Sequence, residues 1–190
     1  ENIRDSITLM RYNRTLLTLM ILAILVEIFG ISWRSITPVI AKDVLNIGPF
    51  GLGIMTAIIH SGGVVGLILI ASLGSTQKKG LATLITLVCF GLGLMSFSLS
   101  PNIVILVMLM AFVAASASAI DPLFMALVQS NVPNKQRGQA MGAWVLCLGF
   151  GPIGQVSVGF MANELGPIEA LLISGSMMTL LGISSLIWLP

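Results

Sequence analysis

Residues 102–130 read NIVILVMLMAFVAASASAIDPLFMALVQS. Asp121 is the only charged residue in that stretch. A helix at a water-facing surface needs a polar stripe, and none is present. The hydrocarbon core of a bilayer is crossed by about 20 apolar residues in a helix. The stretch therefore reads as a membrane span. Outward from it, five more apolar stretches have similar length: about Thr15–Pro38, Pro49–Leu73, Gly80–Ser100, Gly138–Ala162 and Pro167–Leu189. The separators are short and carry breakers or charge, as at Lys42-Asp43, Pro101-Asn102 and Asn163 to Pro167. Strands of a membrane barrel would alternate with a period of two over about ten residues. These runs are continuous and longer, so the expected fold is all-α and polytopic, with six transmembrane helices over 15–190 and an amphipathic lead-in over 1–14.

Composition agrees. Of the 190 residues, 56% are hydrophobic and only 8% are charged, against about 25% charged in an average soluble domain. Mean hydropathy is +1.05. A net charge of +2 gives no concentrated basic face, so nucleic acid is excluded as a partner and a lipid bilayer is expected. Cys89 and Cys147 lie in apolar runs without a CxxC, which argues against a disulfide or a metal site. The chain begins with Glu1 and has no signal-peptide pattern. It reads as a piece of a longer polypeptide.

Seven of the nine Lys and Arg residues fall on one side of the six spans: Arg4, Arg11, Arg14, Lys78, Lys79, Lys135 and Arg137. The positive-inside rule makes that side cytoplasmic, with both termini on it, in a cell (inner) membrane.

Ionisable groups inside spans are costly and are functional candidates by default. Glu27 is near the middle of the first span, His60 near the middle of the second, and Asp121 precedes Pro122 in the fourth. Glu27 either hydrogen-bonds within the bundle or lines a transport path. His60 either packs as a neutral ring or couples protons, for which its ordinary pKa is apt. Asp121 either accepts backbone N–H groups at a helix break or shapes a cavity. Arg34 is one heptad after Glu27, about 10 Å along an α-helix, and reads as snorkelling toward the outer interface with Trp33 as an interface anchor. The third and sixth spans carry no such charge and can face lipid. The fifth, also uncharged, carries Gln155 and many glycines, so it can pack inward.

Gly62, Gly63 and Gly66, Gly91 and Gly93, and Gly149, Gly151 and Gly154 cluster within spans, where small residues allow close approach of helices. Gly138-x-x-x-Gly142 offers a small-residue face at the start of the fifth span. Pro122 and Pro152 are expected to interrupt their helices, which is tolerated only against protein or water. With one histidine and no GxSxG, HExxH or P-loop, no enzyme, metal site or cofactor is expected.

Several stretches carry a family likeness over essentially the whole chain. They are the lead-in Ile3 to Arg14, Thr37-Pro38-Val39-Ile40-Ala41-Lys42-Asp43-Val44-Leu45, Gly51-Leu52-Gly53, and Gly62-Gly63-Val64-Val65-Gly66. The strongest is Val132-Pro133-Asn134-Lys135-Gln136-Arg137-Gly138, followed by Gly151-Pro152-Ile153-Gly154 and Gly159-Phe160-Met161-Ala162. The chain resembles the C-terminal six-helix half of a major facilitator superfamily transporter, most like the branch of the enterobactin exporter and bacterial drug-efflux proteins. The resemblance implies two inverted three-helix repeats, a central cavity lined by the first and fourth spans, and lipid-facing third and sixth spans. It implies proton-coupled export of a siderophore or drug by alternating access, with the N-terminal six helices or a second copy as partner. The proton and substrate candidates are Glu27, His60, Asp121, Arg34 and Gln155. The gate candidates are Arg137, Gly138, Lys78, Lys79, Gly151 and Pro152. Gly74 to Gly80 lacks the Asp of the superfamily's arginine-rich loop. An importer, or a six-helix module that transports nothing, are the competing expectations.

Overall fold

The structure is a computed structural model that describes residues 13–72, 79–100 and 102–188. The lead-in before Asn13 and the second-to-third connection, with Lys78, lie outside the described residues. No strand occurs among those described. Six helical spans run Arg14–Val44, Pro49–Ser72, Lys79–Ser98, Ile103–Ser130, Asn134–Glu164 and Pro167–Trp188. Asn13 caps the first, its side chain accepting the Leu16 N–H at 3.1 Å. Asn102 caps the fourth in the same way, accepting the Val104 N–H at 2.8 Å. Each satisfies a donor that the helix start leaves free.

Two boundaries differ from the sequence reading. The first span passes through Pro38 and ends at Val44, because Pro38 falls in the first turn of the short α-helical segment Thr37–Val39, where its missing N–H is not needed. The chain then reverses at Asn46, whose φ of 53° is left-handed, a conformation Asn tolerates better than most residues. Lys42 and Asp43 therefore end the span and do not separate it from the next.

The expected interruption at Pro122 is absent: Ile103–Ser130 is one continuous helix with Pro122 inside it. No glycine lies in this helix to weaken it further, and it continues past one missing bond. Pro152 does coincide with a break. The fifth span divides into Arg137–Leu148 and Gly151–Glu164. Between them Gly149 and Phe150 donate to the Leu146 and Cys147 carbonyls, each at 3.1 Å, in tight i→i−3 bonds. The glycines either side of Phe150 lower helix propensity where the proline also removes a donor, and the two effects together open the helix.

The principal packing partners are third with sixth, second with fourth, third with fourth, and first with fifth. Exchange first for fourth, second for fifth and third for sixth, and the first–fifth pair becomes the second–fourth pair while third–sixth maps onto itself. These pairings are those of two three-helix units related by that exchange. Lipid is as apolar as Leu, so helix association rests on close van der Waals contact. Gly62 and Gly66 lie one turn apart against the fourth-span backbone. A Cβ on them would sit 2.8 Å from the Ala111 Cα and 2.7 Å from the Ala115 Cα. Gly91 and Gly175 make the same approach between the third and sixth spans. These two spans are thus not lipid-facing all round; each buries one face on the other. Large apolar side chains such as Val64, Ile68, Met108, Val156 and Phe160 are exposed, as a lipid-facing surface permits.

The Gly138-x-x-x-Gly142 face does not pack as expected. Both glycines are exposed, and this half-helix buries Ala140, Ala143, Trp144 and Cys147 instead. The Trp144 ring stacks on Phe124 at 5.5 Å between centroids and joins the fifth span to the fourth.

Gly66→Val should force the second span off the fourth. Overpacking of this kind costs about 1–3 kcal/mol. Gly53→Val, where nothing lies within 4 Å, should be close to neutral. Thermal unfolding of the two variants in detergent measures the difference, and equal stabilities would contradict this crossing.

Candidate functional site

The first span is irregular at its centre. An α-helix over Arg14–Leu25 passes into a π-helical turn over Val26–Gly30, then a 3₁₀ segment over Ile31–Ile36. Irregular turns of this kind misplace backbone carbonyls and are frequent at functional sites. Hydroxyls occupy those carbonyls. Ser32 donates to the Glu27 carbonyl at 2.9 Å, Ser35 to that of Ser32 at 2.7 Å, and Thr37 to that of Trp33 at 3.4 Å. The α-helical register assumed between Glu27 and Arg34 does not hold, and the two side chains meet different neighbours.

Glu27 is half-buried and faces the fifth span at its break. A Cβ on Gly151 would lie 3.3 Å from Glu27 Oε2, so only a very small residue leaves the carboxylate its space. One turn on, Gly154 lets the fifth span seat against the π turn: its Cβ would fall 2.6 Å from the Ile28 Cα. Pro152 is exposed beside them. Cys147, buried, contacts Met20 at 3.5 Å between sulfurs and senses the Glu27 charge.

Asp121 lies on the fourth span. Its charge interacts with that of Glu27, and Arg34 interacts with both. No salt bridge joins the three among the described residues, and neither carboxylate accepts a hydrogen bond there. Among the described residues, then, Asp121 accepts no helix N–H and Glu27 makes no packing hydrogen bond. Placed against lipid, each charge would cost about 3 kcal/mol. Three of them would approach the entire stability of a typical domain, about 5–15 kcal/mol. They are sustainable only where water or another polar body reaches them.

Arg34 and His60 come together between the first and second spans. A cavity of about 210 Å³ is lined by Trp33, Arg34, Thr37, Leu52, Ile59 and His60. A second, of about 220 Å³, shares Arg34, Ile59 and His60 and adds Gly63, Ala114 and Ser118. Trp33 is no interface anchor. It is 1% exposed, and its indole N–H has no acceptor.

The basic end of the bundle is tied by backbone carbonyls. Arg137 Nε–H donates to the Gln129 carbonyl at 3.2 Å, in the last turn of the fourth span. Asn13 Nδ2–H donates to the Asn131 carbonyl at 3.1 Å, joining the first span to the same corner. Cationic and amide donors suit a helix C-terminus, where carbonyls lack partners. Gln155 is exposed on the fifth span and makes no hydrogen bond among the described residues. Lys79 opens the third span, and Gly138 is exposed beside Arg137.

An acidic middle layer, a basic layer toward the far end and a broken helix beside the acid line one face of a polytopic bundle. The sequence profile of the Major Facilitator Superfamily matches residues 8–190. The chain belongs to the Major Facilitator Superfamily. No curated protein matches the chain. As a member of a transporter family it is a multi-pass transmembrane transporter and not an enzyme, and its surroundings are the bilayer and a small-molecule substrate.

Reasoning from sequence missed the irregular segment, the role of Ser32 beside it, and Gln129, Asn13 and Asn131 as the partners at the basic end. One signal was present. Gly30 with Ser32, Ser35 and Thr37 just after an intramembrane Glu places hydroxyls where a disturbed ladder frees carbonyls.

Gly154→Val should lift the fifth span from the π turn, with a loss of about 1–3 kcal/mol, while Gly159→Val, with open space around it, should leave stability near that of the wild type. Chemical denaturation of both variants checks this, and an unchanged Gly154→Val would show that the fifth span does not seat there.

Proposed function

We propose that this chain is one six-helix half of a secondary transporter that exports a small organic molecule, such as a siderophore or a drug, in exchange for protons by alternating access. The observation that carries the reading is Glu27: an intramembrane carboxylate that accepts no hydrogen bond among the described residues, set on a π turn and facing the Gly151-Pro152 break. Proton binding there changes the charge of the group on which the fifth span's break closes. A ligand or proton shifts a two-state equilibrium only by its differential affinity for the two states, and a carboxylate at a hinge has such a difference. Asp121 shapes the same interior. Both termini are cytoplasmic, the basic loops lie on that side of the inner membrane, and six further helices or a second copy complete the cavity.

Arg137, bonded to the Gln129 carbonyl, and Asn13, bonded to that of Asn131, act as a latch at the cytoplasmic end. Hydrogen bonds to a charged donor contribute about 1.5–3 kcal/mol when shielded and less when exposed. Arg137 is exposed, so the latch is weak enough to open on each cycle.

The complete transporter in inside-out vesicles should accumulate a catecholate siderophore or a lipophilic cationic dye when a proton gradient is imposed, and not without one. Accumulation of neither would remove the export reading and favour an importer. Glu27→Gln should abolish the gradient-driven accumulation with expression intact; unchanged export would remove the coupling role. Arg137→Gln should reduce the export rate severalfold without loss of folded protein, measured in the same vesicles.

A further inference from the structure

We infer that Arg34 and His60 form an anion-accepting subsite, which selects substrates that carry a carboxylate or similar organic anion on an apolar body. The inference rests on the reading above that this face lines the transport path, and it names the substrate class.

Two cavities meet at Arg34, Ile59 and His60. Their remaining walls are largely apolar: Trp33, Pro38 and Leu52 on one side, Val64, Leu67 and Ala114 on the other. The nearby hydroxyls are engaged within their own helices. Thr56 donates to the Leu52 carbonyl at 2.8 Å and Thr37 to that of Trp33 at 3.4 Å. Arg34 and His60 donate to no acceptor among the described residues. Both lie well inside their spans: Arg34 is ten residues from the end of its span at Val44, and His60 eleven from the start of its span at Pro49.

An arginine at that depth without an ion pair requires an anion or water. Among the described residues no carboxylate forms a salt bridge with it: Glu27 faces Gly151, and Asp121 acts on Arg34 only at longer range. The guanidinium presents a planar fork that matches a carboxylate in two parallel hydrogen bonds. The imidazole adds a donor from the facing helix. Trp33, which precedes Arg34 in the 3₁₀ segment, is 1% exposed and forms part of the same cavity wall. Acidic groups one layer away, Glu27 and Asp121, would repel an anion that moved deeper, so the charged end of the substrate would be held at the Arg34 layer.

The test is equilibrium binding to the purified complete transporter in nanodiscs, with benzoate and the uncharged isostere benzamide as probes. Tryptophan fluorescence, to which Trp33 in the cavity wall contributes, and calorimetry follow binding. The wild type should prefer benzoate by about tenfold, a difference of about 1.4 kcal/mol. Arg34→Gln should erase the preference, Arg34→Lys should keep part of it, and His60→Gln should reduce it. Each variant is first shown to be monodisperse with wild-type thermal stability; Arg34→Lys keeps the charge and tests the subsite should Arg34→Gln not fold. Equal binding of the two probes by the wild type, no benzoate binding at millimolar concentration, or an unchanged preference in Arg34→Gln would each overturn the subsite. No gradient is applied, so benzoate preference without gradient-driven export would remove the export reading and leave the subsite standing.

Discussion

The arrangement of the bundle follows from the cost of placing Glu27, Arg34 and Asp121 at membrane depth. A charged side chain there is tolerated only against a partner or water. The structure supplies no salt bridge for any of the three among the described residues. The spans that bear them must therefore share one face, and the third and sixth spans, charged only in their first turns, pair with each other. Desolvation decides which helices face inward, while glycine decides how closely they can pack.

The first span shows how a backbone departs from the α-helix without leaving groups unsatisfied. The ladder loosens to a π turn at Val26–Gly30 and tightens to 3₁₀ at Ile31–Ile36. The carbonyls displaced in this way have no water in a bilayer core. Ser32, Ser35 and Thr37 meet several of them. The irregularity directs Glu27 toward the fifth span and Arg34 toward the second, which a regular helix would have kept on one face.

Much of this architecture is legible in sequence because lipid imposes simple rules. Runs of about 20 apolar residues have few alternatives to a helix, so the six spans, the glycine-mediated contacts of Gly62 and Gly66, and the intramembrane charges are visible without coordinates. What could not be read was local competition. Pro122 and Pro152 carry the same chemistry, yet only Pro152 sits at a break, because glycines flank it and none lies in the helix that holds Pro122. Trp33 looked like an interface anchor by residue type. Its burial depends on the 3₁₀ turn, which no apolar periodicity signals. Gly138 and Gly142 have the spacing of a packing face but are exposed, since Trp144 and its stack on Phe124 set which side of that half-helix turns inward.

The contacts differ in how much movement they permit. The second–fourth and third–sixth crossings place backbone on backbone through Gly62, Gly66, Gly91 and Gly175. Sliding there meets atoms within a few tenths of an ångström, and close-packed contacts are not continuously deformable. The fifth span is built otherwise. Its two halves meet at Gly149 and Phe150, its spanning window is the least buried of the six, and one half packs on the first and fourth spans while the other packs on the irregular part of the first span and on the sixth. A segment with little buried surface and a broken ladder opens at lower free energy than the crossings around it. Glu27 faces that segment at its break, so a change in its charge acts where the bundle is easiest to bend.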